Sequence, residues 1–129
     1  MKLSKNFVLK ELTRSQTAIR MGIQNAPNTE QLINLTVLAQ QVLQPCRDKF
    51  GTISINSGLR VLELNRAIGS GDKSQHTKGE ASDFIFVSGK NKIEQNKDLI
   101  QFAKDNNIYD EIKSRQEKDF KAVYLEYGG

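Results

Sequence analysis

The stretch from Ser57 to Asp83, SGLRVLELNRAIGSGDKSQHTKGEASD, holds the only histidine of the chain, His76, and reaches Asp83 seven residues later. Strand-like sequence flanks it. Thr52 to Asn56 alternates as TISIN, which puts Ile53 and Ile55 on one face. Ala81 to Val87 reads as a buried strand with Phe84, Ile85, Phe86 and Val87. Between the two, Val61 to Ile68 fits a short helix with Leu62, Leu64 and Ile68 available for packing. GSGDKSQ is a loop whose glycines permit a tight path. A histidine at the end of such a loop and an aspartate at the start of a strand can converge on one ion, and neutral imidazole and carboxylate both suit zinc. The bland alternative is that the two hydrogen-bond each other and stabilise the loop.

The remaining sequence supplies the packing. Residues 1–27 read as an arm with short helical turns: Phe7, Leu9, Leu12 and Ile19 can face the core, Ser15 is placed to cap a turn through Ala18 to Met21, and Pro27 closes the arm. The clearest helix runs from Thr29 to Phe50, with Leu32, Leu35, Val37, Leu38, Val42 and Leu43 at helical spacing. Asn28 or Thr29 can cap it and Gln31 can return the capping bond. Pro45 predicts a bend or restart, and Gly51 a stop. After Ser88-Gly89, Asn91 with Glu94 marks another helix start, and Ile93, Leu99, Ile100 and Ala103 form its inner side before Asn106-Asn107. Ile108 to Ile112 and Phe120 to Tyr127 read as strands joined by the charged turn SRQEKD. One α+β domain over residues 1–129 is the expectation.

Composition narrows the classes. A chain of 129 residues with 37% hydrophobic and 26% charged residues suits one globular core. No apolar run has membrane-spanning length, and MKLSKNFVLK lacks the apolar centre of a signal peptide, so neither a membrane nor the secretory route is expected. The net charge of +4 is scattered without a run of four basic residues, which argues against nucleic acid and mildly favours an anionic partner such as a cell-wall polymer. The single cysteine, Cys46, excludes an internal disulfide and reads as a buried small hydrophobe.

The letters around His76 carry more. SQHTKGEASDF matches the pattern S-x-H-x-x-G-x-A-x-D through Ser74, His76, Gly79, Ala81 and Asp83. NSGLR at 56–60 is similar to the S-G-Y-R segment of the same proteins, LNRAIG to the helix that follows it, and FVLKELTRSQTA and LAQQVLQPCRDKFG to their arm and long helix. The chain thus resembles the zinc D-alanyl-D-alanine carboxypeptidases and L-alanyl-D-glutamate endopeptidases, in their short phage-borne branch, closely over residues 6–88. The resemblance implies a small antiparallel sheet flanked by helices in the hedgehog/D-Ala-D-Ala peptidase-like fold, with zinc in a cleft on the sheet. It implies His76 and Asp83 as two metal ligands, Arg60 as the bidentate grip on the peptide's carboxylate or carbonyl, and Ser57, Ser74 and Gln75 as supporting polar groups.

The final strand departs from that pattern. The family takes a third ligand from a histidine there, and this chain has no second histidine. One register puts Ala122 in the ligand's place and makes Asp119 the candidate general base; another puts Tyr124 there, with Glu126 as a possible substitute ligand. Strand alternation would place Phe120, Ala122, Tyr124 and Glu126 on one face. A catalytic zinc normally has three protein ligands. Two functions are therefore expected: a degenerate, inactive peptidase-like domain reused as a phage virion structural or host-envelope-binding protein, or an active zinc peptidase with an atypical third ligand. Partners would be a peptidoglycan stem peptide or phage structural proteins, the cofactor zinc or none, and the location the host cytoplasm or the virion. Without an ion, Arg60 can instead pair with Asp83 or Glu80.

Overall fold

The computed structural model describes residues 1–87, 98, 99, 101, 102, 104 and 105, and the backbone of 111–116 and 119–123. The arm forms α1 (Leu9–Thr13) and α2 (Gln16–Met21). Ser15 caps α2 by accepting from the Ala18 N–H, as its position predicts. Phe7 and Leu12 are buried, but Ile19 is 72% exposed, because Ala18 is the residue that this six-residue helix turns inward.

The long helix starts where Asn28 and Gln31 require it. Asn28 accepts from the Gln31 N–H at 2.8 Å and Gln31 Oε1 accepts from the Asn28 N–H at 2.9 Å, a closed capping box. It runs as α3 (Thr29–Leu38), a π-helical turn (Ala39–Leu43) and α4 (Gln44–Phe50), ending at Gly51. The bend or restart expected at Pro45 takes the form of the π-helical turn, after which α4 begins at Gln44 with Pro45 in its first turn. The Gln44 N–H reaches back to the Ala39 carbonyl, five residues away, so the turn before the proline is widened. Leu35, Leu38, Ala39, Val42, Leu43 and Cys46 then form one fully buried stripe. Val37 lies off it and outside the core cluster.

The stripe packs on a four-stranded antiparallel sheet of order β1-β2-β4-β3, built from β1 (Ile53–Ser57), β2 (Ala81–Phe86), β3 (Glu111–Gln116) and β4 (Asp119–Val123). Ile53 pairs with Phe86 and Ile55 with Phe84, so these four side chains share the face that meets the long helix. The neighbouring face of β2 carries Ala81, Asp83 and Ile85. A register shift between Ile55 and Ser57 brings Ser57 opposite Asp83. The predicted final turn is shorter than SRQEKD, since Ser114 to Gln116 continue β3 and Asp119 already begins β4. Leu99 is buried and Phe102 packs edge-on against Phe50, with ring centroids 5.5 Å apart. The proposed helix start at Asn91 and Glu94, and the strand residues 108–110 and 124–127, lie outside the described residues. The result is an α+β fold with a small antiparallel sheet against helices.

Candidate metal half-site and adjoining cavity

Between β1 and β2 the chain forms α5 (Leu62–Ala67) and a 3-10 turn (Gln75–Lys78) that carries His76. Ser74 opens this turn: its Oγ accepts from the His76 N–H at 3.3 Å, and its carbonyl accepts from Thr77 Oγ1 at 2.6 Å. Gly79 closes it in the left-handed region at φ 77°, and a β-carbon there would lie 2.7 Å from the Gln31 carbonyl oxygen. Helix α3 holds the turn from outside, because Gln31 Nε2 donates to the Thr77 carbonyl and Asn34 Nδ2 to the Lys78 carbonyl, both at 2.9 Å. Gln31 thus spends its oxygen on the helix cap and its nitrogen on the turn.

The imidazole of His76 is fully buried and its two nitrogens differ. Nδ1 lies 2.7 Å from the Gly58 carbonyl oxygen, which can only accept, so Nδ1 carries a proton. In the neutral ring Nε2 is then a bare lone pair. It lies 3.4 Å from Asp83 Oδ2, within reach of an ion pair, yet forms no hydrogen bond among the described residues. A lone pair facing a carboxylate oxygen calls for a proton or a cation between them. Two ligands of one tetrahedral ion at bond lengths near 2.0–2.1 Å stand about 3.4 Å apart, the spacing observed. A carbonyl behind the distal ring nitrogen is the usual way a metal-binding histidine is oriented.

The loop that supplies this carbonyl is clasped on three sides. The Arg60 N–H donates to the His76 carbonyl at 3.0 Å, so loop and turn hold each other. The Leu59 N–H donates to the Leu12 carbonyl at 2.8 Å, and a β-carbon at Gly58 would collide with that same carbonyl. Asn25 Nδ2 donates to the carbonyls of Thr13 at 2.7 Å and Leu59 at 2.8 Å, while its Oδ1 accepts from the Val61 N–H at 2.9 Å. Nothing periodic in the sequence marks Asn25 for this work.

Ser57 and Arg60 line a cavity of about 360 Å³ together with Arg14, Ser15, Gln16 and Thr17 of the arm, and His76 and Asp83 are not among its lining residues. Ser74 and Gln75 belong to the turn and are not among the lining residues. On the other edge of β2, Lys121 is the residue opposite Asp83 and Ala122 is opposite Ser82. Asp119 begins β4 opposite Gln116; Tyr124 and Glu126 lie outside the described residues. Among the described residues no third histidine, cysteine or acid joins His76 and Asp83 as a metal-binding group. Among the described residues the donor set fits half of a zinc site.

No curated protein matches the chain. The family model described as Peptidase M15 matches residues 5–118, a span that includes the arm, the long helix and both candidate ligands. With His76 on a clasped turn paired to Asp83 on β2, that match assigns the chain to the peptidase M15 family.

Proposed function

We propose that this protein is a peptidase-like domain that binds peptidoglycan stem peptide without hydrolysing it, and serves as a phage virion structural or host-envelope-binding protein. One observation carries the reading: a well-held His76–Asp83 pair in a chain with a single histidine. The half-site still orients a cation or a polar group. Two protein ligands hold a zinc ion far more weakly than three and exert less control over its bound water. The work left to the chain's own residues is recognition. Arg60 can offer a planar fork to a peptide carboxylate, and Ser57 can donate a hydroxyl beside it. The likeness to phage-borne members supports the assignment to a particle.

The second reading is an active zinc peptidase with Glu126 or Tyr124 as the third ligand. The ligand-like spacing of Nε2 and Oδ2 favours it. Metal content after purification without chelator, hydrolysis of a stem peptide, and co-sedimentation with purified peptidoglycan separate the two. Substoichiometric zinc, no turnover and retained co-sedimentation are expected. Stoichiometric zinc with turnover would refute the binding-only reading.

A further inference from the structure

The loop of residues 58–61, between β1 and α5, stands between the arm and His76, and its peptide groups are spent on the two in alternation. A trans peptide points its carbonyl and its N–H in opposite directions. In the group joining Gly58 to Leu59, the carbonyl faces His76 Nδ1 at 2.7 Å and the N–H donates to the Leu12 carbonyl at 2.8 Å. In the group joining Leu59 to Arg60 the order is reversed. Its carbonyl accepts from Asn25 Nδ2 at 2.8 Å, and its N–H donates to the His76 carbonyl at 3.0 Å. The next N–H, that of Val61, donates to Asn25 Oδ1 at 2.9 Å. Two successive peptide groups thus bridge the arm to the histidine, and Asn25 holds the second of them. Asn25 is itself anchored, since Nδ2 also donates to the Thr13 carbonyl at 2.7 Å and so uses both of its N–H donors.

The direction of these groups decides which nitrogen of the neutral His76 ring carries the proton. With the Gly58 carbonyl toward it, Nδ1 donates, and Nε2 keeps its lone pair toward Asp83 Oδ2, 3.4 Å away. With the first group turned over, the Leu59 N–H would face Nδ1, the proton would move to Nε2, and the place of a cation would be closed. Glycine at 58 makes that rotation cheap, so the resistance comes from the arm side. Leu59 joins the two groups, and its N–H and carbonyl are both tied to the arm, which fixes its φ and ψ. We infer that Asn25 is a positioning residue for His76: by fixing the direction of the loop's peptide groups it selects the Nδ1–H tautomer and keeps Nε2 open to a cation. The cation rests on the half-site reading of the His76–Asp83 pair; the tautomer does not.

His76 is the only histidine, so a long-range proton–nitrogen correlation spectrum of metal-free protein reads its tautomer without ambiguity. Calorimetric titration with zinc reads the open nitrogen. Wild-type protein should show the Nδ1–H pattern. Asn25→Ala should shift the ring toward the Nε2–H form and weaken zinc by roughly tenfold, the lower end of what a partner behind a metal-binding histidine contributes. Asn25→Ser keeps a short donor, should fall between the two, and carries the test if Asn25→Ala does not fold. Gln44→Ala is the control, because Gln44 also clasps the arm, through Ser4 and Asn6, from the long helix. It should lose stability and keep the wild-type tautomer and zinc affinity. A wild-type ring in the Nε2–H form, an unchanged tautomer in the folded Asn25 variants, or the same change in Gln44→Ala overturns the inference and leaves the half-site reading to the zinc titration. A tautomer shift without any effect on zinc, or in a wild-type protein that binds none, sustains the positioning role and removes the half-site reading.

Discussion

Replacing Gly79 with alanine should unfold the protein far more easily than its single added carbon suggests. Gly79 sits at φ 77°, ψ 18°, where an alanine costs about 1–2 kcal/mol. The new β-carbon would stand 2.7 Å from the Gln31 carbonyl oxygen and 3.2 Å from Leu35 Cγ. The turn and α3 must then separate, which stretches the bonds from Gln31 to Thr77 and from Asn34 to Lys78, each 2.9 Å long. At about 1 kcal/mol net for each bond, the total reaches about 3–4 kcal/mol. With a urea slope of about 2 kcal/mol/M for a chain of this size, the midpoint should fall by roughly 1.5–2 M. Gly71→Ala is the control, since nothing lies within 4 Å of a β-carbon there, and it should change stability by less than about 0.5 kcal/mol. Urea unfolding followed by circular dichroism measures both. A Gly79→Ala midpoint within the error of Gly71→Ala would refute the account of how the turn is held.

Three further outcomes are expected. Leu38→Ala, which empties a fully buried site on the helix stripe, should lower unfolding free energy by about 2–5 kcal/mol in the same titration. Burial pushes the Cys46 thiol up to about 12, so at pH 8 only about one thiol in ten thousand is ionised; iodoacetamide should label it at the rate of global unfolding and at full speed in denaturant. The Arg66 hydrogen bond and charge hold the Asp72 carboxyl below its ordinary value; the pair's contribution is present at neutral pH and lost as pH falls through that lowered value. Because both side chains are exposed, Asp72→Asn should leave the thermal midpoint at pH 7 nearly unchanged.

What could be read beforehand was local. The capping box of Asn28 and Gln31, the cap at Ser15 and the buried stripe of the long helix are decided by residues three or four apart, and all formed. The ten-residue pattern around His76 named the family because its spacing is compact. Features made by distant segments left no trace. Asn25 matters only because backbone groups of Thr13, Leu59 and Val61 meet at it. Arg14 reaches the cavity because the arm crosses the end of β1. Ile19 looked apolar enough to bury, but α2 turns the neighbouring Ala18 inward and leaves Ile19 exposed. The widened turn before Pro45 follows from packing, since the apolar stripe continues past the proline on both sides. Polar Ser114 to Gln116 suggested a turn, yet an edge strand needs only its backbone to pair.

The two flanks of β2 are described at different levels, one by its side chains and the other by its main-chain pairing. On one side, His76 is bound into the core through Gly58, Gly79, Gln31 and Asn25, so substitutions there disturb folding itself. On the other, β4 joins β2 through main-chain pairing from Ala81↔Val123 to Phe84↔Phe120, and main-chain pairing is largely indifferent to side-chain identity. Substitutions at the turn are therefore checked by selection for a folded chain, whether or not the site above it is used. Even under relaxed selection for catalysis, such a scaffold would keep the His76 turn for as long as it folds.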